Sequence, residues 1–280
     1  MIHMRHWRRK FSIGVLFCSL FLTTGVLHGQ EEMPTDNETA SESVPRPPSV
    51  GSSVQSDMSL KQLPMNILRD QQSLLLFPKG LAHGQHWLPT IAIVGVTAGL
   101  FAADPHDVGY FRRTTTFHGF NQAFSGNITT GEIAVVPASL YLIGLVRKDS
   151  YSQTTGLLAG EALADSLVVY GVINAVTHRL RPSDIVPQGP FNDTFFHANN
   201  GLFNHSFPSG HTIEAFAVAT IIARRYRNHR WVPSVAYGVA GAIGFSRLTN
   251  QAHFPADVFL GAALGYSISR FEVLRGRWHD

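Results

Sequence analysis

The chain has 280 residues, 44% of them hydrophobic and 15% charged, which suffices for a full core and is too apolar for a disordered or nucleic-acid-coating chain. The formal charge of +3 is concentrated: Arg5, Arg8, Arg9 and Lys10 stand before residue 30 with no acid among them, so the remainder is near neutral and no basic footprint for nucleic acid is left. Cys18 is the single cysteine, which excludes a disulfide framework, a CxxC redox pair and a thiolate metal cage.

In chain order, the basic residues 1–10, the apolar run 11–27 and the polar Gln30-Glu31-Glu32 have the order of a secretory signal, with cleavage expected after Gly29. An uncleaved anchor is the alternative, and either reading predicts export. Residues 30–60 are rich in Ser, Pro, Thr and acids, with little to bury, and read as a flexible linker. The domain is therefore expected over 61–280. Apolar stretches of helical length follow at 87–103, 131–147, 154–178, 210–228, 231–246 and 255–271, without strand-like alternation. Asp104-Pro105, Ser125-Gly126-Asn127, Arg181-Pro182, Pro208-Ser209-Gly210 and Pro233 separate them. An all-α, six-helix bundle is predicted, with a long loop over 181–209 between helices 3 and 4 that carries Phe191, Phe195, Phe196, Phe203 and Phe207.

Several of these helices approach spanning length. Glu161 and Asp165 interrupt the third, Glu214 the fourth and Asp257 the sixth. If all spanned behind a cleaved signal, Arg147-Lys148, Arg224-Arg225-Arg227-Arg230 and Arg270-Arg275-Arg277 would fall on the wrong side for the positive-inside rule. A soluble periplasmic bundle is thus the expectation, with a membrane-associated or integral protein as the alternative.

Three short segments carry the chemistry. Pro208-Ser209-Gly210-His211 looks like a helix N-terminus: Ser209 in the capping place, Gly210 allowing close approach, and the helix dipole favouring an anion such as phosphate. A plain cap followed by a surface histidine is the blander reading. His253 and Asp257 lie four apart, with Pro255 suited to the first helical turn. Asp257 can then reach back to fix the His253 tautomer and leave the other ring nitrogen to attack an electrophile. A capping pair is the alternative. Arg181 and Arg247 could offer doubly donating guanidinium groups to phosphate oxygens, or simply meet helix C-termini. Their joint order is far less frequent by chance than any one motif.

These segments resemble the tripartite signature of the type 2 phosphatidic acid phosphatase family, which includes bacterial class A acid phosphatases and vanadium haloperoxidases. The family pattern is Lys-x6-Arg-Pro, Pro-Ser-Gly-His and Ser-Arg-x5-His-x3-Asp; the second and third are matched in full, and the resemblance covers about 170–270. It implies His253 as the nucleophile forming a phosphohistidine, Asp257 as its orienter and His211 as the acid that protonates the leaving oxygen. It also implies a phosphate held by Arg181, Arg247, Ser209 and Gly210, in a metal-independent reaction with no cofactor.

One place departs from the pattern: Asn174 stands where the family has lysine. Seven residues are about two helical turns, so Asn174 is expected to share a face with Arg181 and meet the phosphate. A lysine there is expected to raise activity about tenfold, unless His178 or Arg179 has taken over the position.

The implied function is phosphomonoester hydrolysis, on lipid phosphates such as phosphatidic acid or isoprenoid (di)phosphates, or on soluble esters. The aromatic loop could meet an acyl tail, or simply pack. A degenerate phosphate- or lipid-binding protein and a vanadium-dependent haloperoxidase are the alternatives. His83, His86, His106 and His118 lack ligand spacing with acids, so no metal site is expected.

Overall fold

The computed structural model describes residues 58–114, 116–124, 126–185, 193–197 and 204–277, the side chains of 105–107 and 126–128 apart. The expected signal peptide, most of the linker, Phe191 and Phe203 lie outside these residues.

The described residues form helices and no strand: α1 (Leu63–Ala82), α2 (Trp87–Arg113), α3 (His118–Ala123), α4 (Gly126–Arg147), α5 (Ser150–Thr177), α6 (Gly210–Arg225), α7 (Trp231–Thr249), α8 (Pro255–Ser267) and α9 (Leu274–Arg277). A π-helical turn, Ile268–Val273, joins α8 to α9. The six expected helices correspond to α2 and α4 to α8. Neither α1, with Pro78 inside it, nor the short α3 was expected. The expected break at Asp104-Pro105 is absent, because α2 runs through it. A proline costs this turn one backbone bond, but Asp104 is buried and ion-paired to Arg179, so a tertiary contact overrides the local preference.

Helix α6 is the hub, packed against α5, α7 and α8. Its small residues Ala215, Ala217, Ala219 and Ala223 are buried together with Ile213, Ile221 and Ile222. The crossing with α8 is so close that a Cβ on Gly265 would stand 2.2 Å from the Ile213 carbonyl oxygen. The α4–α5 crossing likewise needs Gly156, where a Cβ would meet the Tyr141 amide at 2.6 Å. The close α6–α8 contact places the start of one helix beside the start of the other, and the Ser209 amide donates to the Asp257 carbonyl at 3.0 Å.

The segments Trp87–Asp104, Thr129–Arg147 and Ser150–Asp184 are long and apolar enough to cross a membrane, by length and composition. Their outer surfaces carry Leu88 and Val146, 81% and 85% exposed, with Ile91, Val94, Leu142, Val172 and Val176 also exposed. This apolar surface favours the membrane-associated alternative over a soluble bundle. Glu161 and Asp165 do not interrupt the apolar face, because both are fully buried and turned inward. Arg277 reaches Glu161 at 2.6 Å and Asp70 at 2.8 Å, and the Gln71 side-chain amide donates to Asp165 at 2.8 Å.

Candidate active site

Helix α5 ends at Thr177 because His178 takes the left-handed conformation, φ 43°. The chain leaves the helix there, Arg179 turns into the core, and Arg181 continues in extended backbone, φ −79° and ψ 153°. The helical spacing expected between residues 174 and 181 therefore does not hold. Asn174 is fully buried, and its side-chain amide donates to the carbonyls of His205 (2.9 Å) and Phe207 (3.2 Å) while its oxygen accepts from the His205 amide (3.4 Å). Both amide protons are thus engaged, and a side chain expected on the phosphate instead braces the loop leading to α6.

Ser209 occupies the N-cap of α6 with its hydroxyl on Thr212 Oγ1 at 2.8 Å, not on a backbone amide as a cap would be. The Tyr170 ring lies against Gly210, 3.1 Å from where a Cβ would stand, so close packing accounts for this glycine. His211 follows in the first turn, its Nε2 3.0 Å from Thr130 Oγ1 of α4.

His253 precedes α8, which starts at Pro255 as expected. Its ring is nearly buried, and Nδ1 lies 2.6 Å from the Ser206 carbonyl oxygen. A carbonyl only accepts, so the proton sits on Nδ1 and Nε2 keeps its lone pair. Asp257 does not make this bond: its carboxylate is 3.9 Å from Nδ1, outside hydrogen-bond range. It accepts instead from the Ser206 hydroxyl, the Phe254 amide (2.8 Å) and Arg179 (2.5 Å). Arg179 also reaches Asp104 at 2.6 Å, and its guanidinium carbon lies 4.0–4.8 Å from the ring centroids of Phe101, Phe195 and Phe254. Phe195 and Phe207 pack on Phe101, whereas Phe196 is 76% exposed.

The field around His253 is positive. Burial first, and then the charges of Arg181, His211 and Arg247, hold its pKa well below the ordinary histidine range, against the pull of the Ser206 bond. The imidazole is therefore neutral at physiological pH, with the Nε2 lone pair unprotonated. Arg247 is pushed down to about 10 by burial and by Arg181; it donates to Ser246 Oγ at 2.9 Å and to the Phe124 carbonyl. The Nε of Arg181 is buried without a hydrogen-bond acceptor. Burial raises Asp257 to about 6, although Arg179, Ser206 and the Phe254 amide all favour its charged form. Of the expected site residues, Arg181, Arg247 and His211 lie near enough to His253 to act on its charge, Asp257 is linked to it through Ser206, and Asn174 faces elsewhere.

Sequence reasoning passed over Ser206, whose part is played by a backbone carbonyl, and Asp104, which lies on α2 far from every motif in the sequence. A second cluster, outside this site, joins Asp70, Glu161 and Asp165, with one oxygen of each within 4.8 Å of the others. These are oxygen ligands of the kind hard cations take, and Arg277 supplies a positive charge beside them.

A helix start, a neutral histidine held by its Nδ1 proton and the guanidinium groups of Arg181 and Arg247 acting on it make up the candidate site. Residues 155–278 match the PAP2 superfamily model, so this part of the chain is similar to that superfamily. The chain is 31% identical over 138 residues to a lipid A 1-phosphatase of Porphyromonas gingivalis, covering 48% of this chain and 27% of that protein. It is 39% identical over 70 residues to the bacitracin transport permease protein BcrC of Bacillus licheniformis, covering 24% and 33%. The chain thus spans about a third or less of these curated relatives. A transmembrane PAP2-type phosphatidylglycerolphosphate phosphatase from Bacillus subtilis superposes with a TM-score of 0.43 at 22% identity, over 73% of this chain and 93% of that one.

Proposed function

We propose that the protein is a membrane-embedded phosphatase that hydrolyses lipid phosphomonoesters, such as phosphatidic acid or isoprenoid (di)phosphates, through a phosphohistidine. The observation that carries this reading is His253, its Nδ1 held by the Ser206 carbonyl so that Nε2 keeps its lone pair, and kept neutral by burial and the nearby guanidinium groups of Arg181 and Arg247. An Arg181 nitrogen left without an acceptor invites a phosphate oxygen. The apolar helix faces and the named activity of the lipid A relative favour a lipid substrate.

In this reading Nε2 of His253 attacks phosphorus, and the bond to the leaving oxygen breaks as His211 hands it a proton. The guanidinium groups of Arg181 and Arg247 neutralise the three equatorial oxygens, where charge grows in the transition state. Water, deprotonated by the now neutral His211, then attacks phosphorus, breaks the P–N bond and releases inorganic phosphate. The chain's own groups supply nucleophile, acid and charge.

The test is purified protein in detergent, assayed for phosphate release from phosphatidic acid and from p-nitrophenyl phosphate, with vanadate as inhibitor. Turnover inhibited by vanadate and abolished in His253→Ala, together with the acid-trapped phosphoenzyme, is expected. Full activity in His253→Ala would sink the mechanism, and binding without turnover would favour a non-catalytic phosphate binder.

A further inference from the structure

Resting on the reading of His253 as nucleophile, we propose that Asp257 acts on it through Ser206: the carboxylate holds the Ser206 hydroxyl, and the Ser206 carbonyl holds the imidazole. Ser206 is a positioning residue, touching neither phosphate nor leaving group in this arrangement.

The geometry assigns this role step by step. The Asp257 carboxylate stands 3.9 Å from His253 Nδ1, so no direct bond links the pair. Ser206 contacts both: its hydroxyl donates to Asp257 Oδ2, and its carbonyl takes the Nδ1 proton at 2.6 Å. The Ala252 carbonyl is a second acceptor for the hydroxyl, at 3.5 Å, a much poorer distance. Ser206 is fully buried, and its amide donates to the Arg179 carbonyl at 2.7 Å. Every polar atom of the residue is thereby fixed. The flanking carbonyls of His205 and Phe207 are fixed in turn by Asn174.

Three segments meet in this one residue: the end of α5 through Arg179 and Asn174, the loop before α6, and the start of α8 through Asp257. A shift of the Ser206 peptide by a few tenths of an ångström would rotate the imidazole, and productive attack tolerates little misplacement. The charged groups facing Asp257 are Arg179 and Asp104, and those facing His253 are Arg181, His211 and Arg247. Because the Ser206 bond favours the charged form of Asp257, its removal also moves the acid limb of the pH profile upward.

A double-mutant cycle tests this, with kcat for p-nitrophenyl phosphate measured in the wild type, Ser206→Ala, Asp257→Asn and the double variant. Ser206→Ala is expected to lower kcat about ten- to a hundredfold with KM little changed. In that background, Asp257→Asn is expected to add little, since the path between the two groups is already cut. Ser206→Thr keeps the hydroxyl and is expected to recover most of the rate with the wild-type pH profile. It also keeps the test readable if the alanine variant folds poorly. Additive losses, or an unchanged rate and pH profile in Ser206→Ala, would overturn the relay. In that event His253→Ala separates the cases: dead, it leaves the phosphatase reading standing, and active, it removes that reading itself.

Discussion

Replacing Asn174 by alanine removes the donors of two buried carbonyls, and the structure sets the size of the loss. The Phe207 carbonyl also receives the Thr177 hydroxyl at 3.1 Å and keeps a partner. The His205 carbonyl loses its 2.9 Å donor in a site closed to water. Losing a hydrogen bond to a buried carbonyl costs about 1–3 kcal/mol, and the vacated side-chain volume adds to it. A total of about 2–4 kcal/mol corresponds to a drop in Tm of roughly 5–15 °C for a domain of this size. Thermal unfolding of the wild type and Asn174→Ala in one detergent, followed by intrinsic fluorescence, measures it. Asn174→Lys is expected to lose activity rather than gain tenfold, because its ammonium enters a site without exposure and faces backbone already braced. An unchanged Tm in the alanine variant together with a large rise in KM would refute the bracing role and return Asn174 to the phosphate. A gain in kcat/KM for the lysine variant would do the same.

His211→Ala is expected to slow alkyl phosphates far more than p-nitrophenyl phosphate, because acid assistance matters most for a basic leaving oxygen; equal losses on both substrates would remove His211 as the acid. Asp257, raised to about 6 in the folded chain against about 3.9 unfolded, binds more protons folded than unfolded between those values. Its contribution to stability is present below the lower value and lost as pH rises through the upper one. In the proposed mechanism activity needs the charged form, so kcat/KM is expected to rise with pH through about 6, and a flat profile from 5 to 7 would contradict this. Gly265→Ala is expected to abolish folding or spread α6 and α8, since its Cβ would meet the Ile213 carbonyl at 2.2 Å; a wild-type melting curve would show that the crossing is looser than described.

The helices with strong apolar runs were legible in the sequence, as were the three motifs, because both are local patterns. What the sequence did not disclose depends on contacts between distant segments. The left-handed His178 ends α5 four residues after Asn174, so helical spacing carried to Arg181 misdirected Asn174. The tautomer of His253 is set by a backbone carbonyl, which every residue has and no motif marks. Asp104 holds α2 through a proline only because Arg179 waits across the core. Glu161 and Asp165 read as breaks in an apolar helix until Arg277 and Gln71 were found to engage them from the inside.

The placement of Arg179 has a consequence for solution conditions. Its charge is enclosed between Asp104 and Asp257 and covered by three aromatic rings, with only 2% of the side chain exposed. Mobile ions reach such a pair poorly, whereas they screen charges open to solvent over a Debye length of about 8 Å at physiological ionic strength. Added salt should therefore weaken capture of a phosphate by the partly open Arg181 while leaving the Arg179 framework untouched. In the proposed mechanism the ionic-strength dependence of KM then reports on the substrate-facing cations rather than on the Arg179 framework, and a salt-dependent Tm would trace to other, more exposed pairs.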